Sequence, residues 1–325
     1  MTLAALAKNF FDYLEIEKNR SILTRRNYEF YLGRFLRYAE KRGCTKPSQI
    51  NADMVREYRL WLNRLTDERG GSLKRKTQNY HIIVLRAFLK YLAKRDIHTL
   101  AAEKIELGKE EGRQIAFLEG EELQRLLEAP LQNQKSNVKG PASAQATAGR
   151  HMSIVALRDK AMLETLFSTG LRVAELARLK REDVNVKKGE FSVRGKGSKI
   201  RLVFLSPVAQ EWLKKYNETR PDLSPYLFAR YDRRAKGNDD APLTPRSIQR
   251  IVEKYAKMAG ITKNITPHTL RHSLATDLLK NGADIRSVQA ILGHSSITTT
   301  QIYTHVTDQR LREVHDKYHS KRRGE

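Results

Sequence analysis

The chain has 325 residues, of which 40% are hydrophobic and 30% charged, which is typical of a folded protein long enough for two domains. Lys and Arg outnumber Asp and Glu by 61 to 37, for a formal net charge of +24. Such an excess favours a polyanionic partner, nucleic acid before an anionic membrane surface.

Several other classes are disfavoured. No apolar run approaches the roughly 20 residues that span a bilayer, and the N-terminus lacks a signal-peptide cleavage pattern. The single cysteine, Cys44, excludes an internal disulfide and a thiolate metal cage. We therefore expect a cytoplasmic protein that does not contact membranes.

Residues 1–100 carry nearly half of the net charge in less than a third of the chain, which favours a DNA-binding domain. Their apolar spacing predicts that this domain is all-helical. Leu23–Arg42 and Thr77–Lys94 repeat apolar residues at three- and four-residue spacing, with Lys and Arg on the other faces. Thr24 and Thr77 are the expected N-caps. Each basic face alone is also compatible with a solvated surface, but several in one block favour phosphate contacts. The residues expected to contact DNA here are Arg25, Arg26, Lys74, Arg75 and Lys76.

Residues 101–115 lose the apolar period and predict a linker, after which residues 116–325 form a second domain. Within it, residues 131–153 are rich in Gln, Ser, Ala and Gly and predict a flexible insertion loop. Residues 190–205 predict two β-strands around a Gly-Lys-Gly-Ser turn. Helices are predicted over 119–127, 154–179 with a break at 169–170, 207–219, 245–259, 267–281 and 284–292. The expected fold class is mainly α with a small β-sheet in the second domain.

A first candidate for chemistry on DNA is the segment STGLRVAELARL, residues 168–179. Gly170 permits a tight entry into a helix, Arg172 lies at the start of that helix, and Glu175 follows one turn later, placed to orient a basic neighbour. Phosphodiester cleavage without a metal needs a nucleophile, cationic donors and an acid for the leaving oxygen. The planar fork of an arginine can hold two phosphate oxygens, although a lone arginine at a helix start is most often a surface residue.

A second candidate is TPHTLRHSLATDLL, residues 266–279. Thr266 can cap a helix and Pro267 fits its first turn, so that His268 and Arg271 share one face at i and i+3. An imidazole beside a guanidinium can bind one phosphate and manage one proton.

The same segment invites a zinc-binding interpretation, because His268 and His272 are spaced as i and i+4. Thr269 stands where a zinc protease needs Glu, and no third ligand is indicated. No metal site and no other cofactor is predicted.

The third candidate is ILGHSSITTTQIYTHV, residues 291–306. Gly293 ends a helix, His294 follows it, and Tyr303 lies nine residues later in a Thr-rich segment expected to be helical. Taken alone, such a tyrosine is most often half-buried packing, and such a histidine is a partner of the helix dipole.

Taken together, GLRVAEL, HTLRHS, LGHSSITTTQIYTHV and the hairpin RGKGSKIR resemble, in order and spacing, the motifs of the tyrosine recombinase (phage integrase-like) family, most closely its Xer branch. The resemblance covers essentially the whole chain. It implies a helical, SAM-like core-binding domain followed by an α+β catalytic domain. It also implies a metal-independent enzyme that cleaves and rejoins DNA through a 3′-phosphotyrosyl intermediate and exchanges strands via a Holliday junction. Two departures are the length of 131–153 and Phe204, where a proline is common.

The resemblance also implies the roles of individual residues. Tyr303 is the expected nucleophile, and Lys196 is the expected acid that protonates the leaving 5′-oxygen. Lys199 is a nearby alternative to Lys196 and is otherwise expected to contact DNA. Arg172 and Arg271 are the expected cationic clamp on the phosphate. His268 and His294 are the two expected histidines of the site, and Glu175 is the expected supporting acid.

The expected partner is double-stranded DNA with a specific recombination site. A tetramer is expected to bind it, formed by this chain alone or by this chain and a paralogous recombinase. A DNA translocase is a further expected partner. Residues 308–325 resemble the C-terminal tail helix that docks on a neighbouring subunit, with Leu311 and Val314 as apolar anchors; the alternative is a solvated amphipathic end. The expected role is Xer-like resolution of chromosome or plasmid dimers at the nucleoid. Alternatives are the integrase of a mobile element, a type IB topoisomerase-like enzyme and a DNA-binding protein with an inactive site.

Overall fold

A computed structural model of the chain describes residues 1–66, 70–108, 116–132, 153–195, 200–231 and 242–293. The chain divides into two compact units, Met1–Arg113 and Gln114–Glu325. Both are mainly helical in their described parts, and the described strands form one two-stranded sheet in the second unit, which confirms the predicted fold class. None of the described helices combines the length and the apolar character needed to cross a membrane.

The first unit packs its helices around a core of aromatic and aliphatic side chains. Phe10, Phe35, Tyr58 and Phe88 are among its most completely buried residues. They come from four different helices, so each helix contributes an apolar face while its basic residues point outward. The described helices of this unit are α1 Leu3–Ile16, α2 Ile22–Glu40, α3 Ala52–Arg64 and α4 Arg75–Ala93, with 3-10 turns at Pro47–Gln49 and Ala102–Lys104.

The starts of two of these helices differ from the prediction. Ser21, not Thr24, caps α2: the Ser21 hydroxyl accepts the backbone N–H of Thr24 at 3.3 Å. Helix α4 begins after Lys74, which makes no side-chain cap, and Thr77 lies inside its first turn. In both cases the chain becomes helical about one turn before the predicted cap. For α2 the cap is again a hydroxyl, but that of an earlier residue, Ser21.

The first unit also extends beyond residue 100. Ala102 and Ile105 are buried in its core, and the side chain of Asn79 exchanges two hydrogen bonds with the backbone of Gly108, at 2.9 and 3.1 Å. The first half of the predicted linker therefore packs with the N-terminal helices, and its remainder, residues 109–115, lies outside the described residues.

The described elements of the second unit are α5 Gly120–Gln132, α6 Ile154–Thr169, α7 Val173–Arg178, β1 Glu190–Arg194, β2 Ile200–Phe204, α8 Pro207–Thr219, α9 Pro245–Met258, α10 Pro267–Lys280 and α11 Ile285–Leu292. Helix α6 is buried on nearly every side, and α5, α8, α10 and β2 pack against it. The predicted hairpin is present as the antiparallel pair β1–β2, in which Phe191 lies opposite Val203 and Val193 opposite Arg201.

The described residues on either side of the predicted insertion loop, 131–153, belong to helices or cap them. Helix α5 continues to Gln132, and the hydroxyl of Ser153 caps α6 by accepting the N–H of Ala156 at 3.2 Å. Residues 133–152 lie outside the described residues, as do 308–325, where the tail helix is predicted.

Burying α6 requires that its charged side chains find partners. Asp159 accepts Arg158 Nη2 at 2.7 Å and the hydroxyl of Tyr255 on α9 at 2.9 Å, and Lys160 donates to Glu164 at 2.6 Å. Buried charges are tolerated only when they are paired in this way. Two of these pairs lie within α6, and the hydrogen bond from Tyr255 ties the helix to α9.

Gly170 ends α6 in the left-handed conformation, with φ +58°. A Cβ atom at this position would lie 2.9 Å from the Cδ2 atoms of both Leu274 and Leu292. Gly260 has a similar φ of +70°, but a Cβ there would meet no heavy atom within 4 Å. The two glycines thus share a backbone requirement and differ in their surroundings.

We predict that Gly170→Ala lowers the free energy of unfolding of the second unit by about 2–4 kcal/mol, since it adds overpacking to the cost of a positive φ. The matched Gly260→Ala should lose only about 1 kcal/mol. Urea unfolding can be followed by the fluorescence of Trp212 on α8, in a Trp61→Phe background that silences the other unit. Equal losses in the two variants would contradict the packing argument.

Candidate active site

Arg172 is placed by the sharp turn between α6 and α7. The N–H of Gly170 donates to Leu166 at 3.1 Å to close α6, and two residues later Arg172 caps α7. Its backbone N–H donates to Glu175 Oε2 at 2.9 Å, so the first turn of α7 is closed by the carboxylate that the sequence singled out.

Arg271 joins two helix ends to α10. The helix begins at Pro267, where Thr266 caps it through the N–H of Thr269 as predicted. The Arg271 side chain is only 3% exposed, and its terminal nitrogens donate to the carbonyl oxygens of Gly170 and Leu292. These are the C-cap of α6 and the last residue of α11.

Arg172 reaches the same helix end from the other side. Its Nη2 donates to the carbonyl oxygen of Gly293 at 3.1 Å, and its Nη1 donates to Glu175 Oε1 at 3.0 Å. The side chain remains 31% exposed. The two arginines therefore bind carbonyls of consecutive residues, which brings together the two side chains predicted to clamp a phosphate.

His268 lies in the first turn of α10, close to both arginines. Part of its surface is open to solvent, and the neighbouring protein atoms remove water from the rest of the ring. This partial burial, followed by the positive charges of Arg271 and Arg172, lowers the pKa of the imidazole. At neutral pH the ring is therefore held in its neutral form, in which it can accept a proton.

Glu175 is held by a second arginine that the sequence analysis missed. Arg201, on β2, donates its Nη1 to Glu175 Oε1 at 3.0 Å and its Nη2 to Oε2 at 2.7 Å. Both side chains are 9% exposed. Burial alone would raise the pKa of Glu175, but the hydrogen bonds from Arg201 and Arg172 outweigh it and hold the pKa at about 2.

The sequence pattern of β2 could not have revealed Arg201. A hairpin normally turns its apolar residues to the core, so the alternation of Ile200, Leu202 and Phe204 predicts that Arg201 points to solvent. In the structure those three apolar residues are exposed, and Arg201 and Val203 face inward. The ion pair with Glu175 therefore became visible only in the tertiary structure.

The remaining residues of the predicted catalytic set lie outside the described residues. These are Lys196, His294 and Tyr303, together with the alternative lysine Lys199. The sequence places Lys196 two residues after the end of β1 and His294 directly after Gly293.

Arg25, one of the predicted DNA contacts of the first unit, has two acidic partners. It forms ion pairs with Glu15 and Glu29, both at 3.1 Å, which reduce its availability to a phosphate. The remaining predicted contacts of this unit are exposed: Arg26, Lys74, Arg75 and Lys76. The last three lie at the start of α4, where the helix dipole adds to their positive charge.

The low pKa of Glu175 predicts how the stability of the folded chain depends on pH. In the unfolded chain this carboxyl takes up a proton near its ordinary pKa of 4.5, but in the folded chain only near 2. Its contribution is therefore complete above pH 4.5 and is lost as the pH falls towards 2. We expect the stability gap between wild type and Glu175→Gln, at most about 3 kcal/mol near neutral pH, to shrink over that interval.

Urea unfolding at a series of pH values from neutral downward tests this expectation. Glu211→Gln, which removes an exposed carboxylate paired with Lys215 on α8, should show little gap at any pH. A Glu175→Gln gap that is as large in acid as at neutral pH would mean that the ionised carboxylate is not what stabilises the site.

Comparison with known proteins places this arrangement in a family. The chain is 37% identical over 314 residues to the tyrosine recombinase XerD of Chlorobaculum tepidum, covering 96% of this chain and 95% of that protein. It is 35% identical over 332 residues to the tyrosine recombinase XerC of Syntrophus aciditrophicus, covering 98% of each. The crystal structure of the XerH site-specific recombinase bound to its difH substrate, a pre-cleavage complex, is similar with a TM-score of 0.64 at 25% identity. That match covers 95% of this chain and 82% of the XerH chain.

Two family models also match. Residues 7–96 match the N-terminal SAM-like domain of phage integrases, and residues 117–310 match the phage integrase family itself. The second match spans the segments that carry Arg172, Arg271 and Tyr303. The chain therefore belongs to the phage integrase family of tyrosine recombinases and is a DNA breaking and rejoining enzyme of the Xer type.

Proposed function

We propose that Arg172 and Arg271 hold the scissile phosphate of one DNA strand while Tyr303 attacks its phosphorus. The observation that carries this proposal is the convergence of the two arginines on the carbonyls of Leu292 and Gly293. The chain continues from that point into His294 and, nine residues later, Tyr303. In this proposal residues 1–100 bind DNA and residues 116–325 carry the chemistry.

The cleavage step balances without a metal or a nucleotide. The phenol oxygen of Tyr303 forms a bond to phosphorus as the bond from phosphorus to the 5′-oxygen breaks. The phenol proton passes to the neutral imidazole of His268, and Lys196 gives a proton to the leaving 5′-oxygen. One phosphodiester replaces another, so a 5′-hydroxyl can reverse the step and rejoin a strand without ATP.

The electrostatics of the described residues support this assignment. A phenol with an ordinary pKa of about 10 is protonated at neutral pH and needs a base and nearby positive charge to attack. The lowered pKa of His268 keeps its ring available as that base. Arg172 is partly exposed and can offer its guanidinium to a phosphate. His294, which lies outside the described residues, is proposed to add a hydrogen bond to the same phosphate.

DNA binding is assigned to the exposed basic residues of the first unit. Arg26, Lys74, Arg75 and Lys76 supply charge for sequence-independent contacts to phosphates. Lys199, in the hairpin turn, contacts DNA next to the site of cleavage. Arg25 contributes less, because Glu15 and Glu29 already neutralise it.

At the level of the assembly, we propose a tetramer on two recombination sites that exchanges strands in pairs through a Holliday junction. Residues 308–325 dock on a neighbouring subunit through Leu311 and Val314. The biological role is resolution of chromosome or plasmid dimers at the nucleoid, supported by similarity to XerD and XerC over nearly the whole chain. A second, paralogous recombinase and a DNA translocase are the further partners. The second candidate, the integrase of a mobile element, uses the same chemistry at a different site.

The nucleophile can be tested with a nicked suicide substrate, built from a site selected among genomic fragments that the protein binds. Cleavage releases a short fragment and traps the covalent complex, which denaturing electrophoresis detects. We expect Tyr303→Phe to abolish this complex, because phenylalanine has no oxygen to attack phosphorus. Tyr318→Phe, a control in the same C-terminal segment, should retain it, as should wild type in EDTA. Cleavage by Tyr303→Phe, or loss of cleavage in EDTA, would refute the proposed chemistry.

The acid can be tested by changing the leaving group. A substrate with sulfur in place of the bridging 5′-oxygen releases a thiolate, which needs no proton from the enzyme because a thiol has a pKa of about 8.5. We expect Lys196→Ala to slow cleavage of ordinary DNA by about 10²–10⁴-fold and to recover on the sulfur substrate.

Lys199→Ala is the matched control for that experiment. It should cleave both substrates at similar rates and lose only DNA affinity, with a weaker dependence on salt. If Lys199→Ala instead shows the defect that sulfur corrects, Lys199 is the acid and the assignment of Lys196 is wrong.

A further inference from the structure

Arg201 is a buried cation on the core face of a β-hairpin. Its side chain is 9% exposed, while its strand neighbours Ile200 and Leu202 are 66% and 46% exposed. Turning two apolar residues to solvent and an arginine inward reverses the usual order of burial. The hairpin therefore gives up apolar burial to place this guanidinium beside Glu175.

Glu175 accepts two hydrogen bonds from each of two arginines. Its Oε1 accepts Nη1 of Arg172 and Nη1 of Arg201, both at 3.0 Å. Its Oε2 accepts the backbone N–H of Arg172 at 2.9 Å and Nη2 of Arg201 at 2.7 Å. A carboxylate with four donors arranged in this way has one orientation, and that orientation sets where the Arg172 guanidinium lies.

The charges of these three residues matter for binding a phosphate. Arg172 and Glu175 alone would form a neutral pair, in which the carboxylate cancels the attraction that Arg172 offers to an anion. With Arg201 added, two guanidinium groups share one carboxylate and the cluster keeps one net positive charge. Arg172 is the more exposed of the two cations, at 31% against 9%, so this charge is available on its side.

The stem of Arg201 also passes along Gly293. A Cβ atom on Gly293 would lie 2.7 Å from Cδ of Arg201, and the carbonyl of Gly293 is the acceptor for Arg172 Nη2. Arg201 thus borders both acceptors of the Arg172 side chain, the Glu175 carboxylate and the Gly293 carbonyl.

We propose that Arg201 is a positioning residue for DNA cleavage: it fixes Glu175 and offsets its charge, so that Arg172 presents an uncancelled guanidinium to the scissile phosphate. This inference rests on the proposed role of Arg172. It assigns a function to the hairpin strand itself, in addition to the lysine proposed for its turn.

The test compares Arg201→Met with Arg194→Met. Both variants remove one positive charge from the hairpin, but Arg194 is an exposed residue at the end of β1. The measurement is the rate of covalent complex formation on the suicide substrate, with enzyme in excess so that all DNA is bound. We expect Arg201→Met to be slower by about 10–100-fold, an effect of the size seen when a group that orients a catalytic residue is lost, and Arg194→Met to stay within about 2-fold of wild type.

Two further variants separate positioning from a general loss of structure. Arg201→Lys keeps the charge and most of the stem, but an ammonium cannot bond both carboxylate oxygens as a fork does, so we expect a loss of about 3–10-fold. Glu175→Gln in the Arg201→Met background removes the carboxylate whose charge is no longer offset. The loss in that double variant should be smaller than the product of the two single losses, because the two substitutions act through one contact.

The sulfur substrate distinguishes Arg172 from Lys196 as the residue that depends on Arg201. Arg201→Met should gain nothing from it, because the proposed defect lies in the hold on the phosphate. The inference is overturned if Arg201→Met recovers fully on the sulfur substrate or cleaves ordinary DNA as fast as Arg194→Met. It is also overturned if Arg201→Lys cleaves at the wild-type rate, or if the losses multiply in the double variant. The Tyr303-dependent complex formed by wild type tests the proposed function separately from these ratios.

Discussion

The backbone carbonyls of Leu292 and Gly293, at the end of α11, are the point on which the candidate site depends. Arg271 binds the first of them and Arg172 the second, and Arg271 also binds the carbonyl of Gly170 at the end of α6. Orphan carbonyls at helix ends need donors, and here two guanidinium groups supply them. The ends of two helices and the two cations are therefore fixed together, so that the packing of the second unit determines the geometry of the site.

A second constraint comes from burying charge. A guanidinium removed from water is costly unless a carboxylate and good geometry compensate it. Glu175 supplies that compensation to Arg201 and part of it to Arg172, which keeps the carboxylate ionised far below neutral pH. Partial burial, followed by the positive charges of Arg271 and Arg172, lowers the pKa of His268. Arg172 therefore belongs to the cluster that Glu175 orders and also contributes to the lowered pKa of the imidazole that is proposed to accept the phenol proton.

Local sequence patterns predicted most of the described secondary structure. Helical periodicity identified the second unit's helices, and the Gly-Lys-Gly-Ser turn identified the hairpin. The errors have two sources. At the start of α2 two hydroxyl residues three positions apart compete for the cap, and Ser21 rather than Thr24 takes it. Residues up to Gly108 belong with the first unit because Asn79, 29 residues earlier, binds the backbone there. Neither a capping rule nor a change in composition shows which part of the core a segment packs against.

The sequence by itself determined the family and which residue types carry chemistry, because the motifs around Arg172, Arg271 and Tyr303 are short, local and ordered along the chain. Only the tertiary structure decided that Arg172 and Arg271 meet at one helix end and that Arg201 completes the cluster. Arg172, Arg201 and Gly293 lie on separate elements, and no periodicity in the chain records that their side chains or carbonyls come within hydrogen-bonding or packing distance. That information resides in how the elements that carry these residues pack in the second unit, since a buried charged group needs a partner.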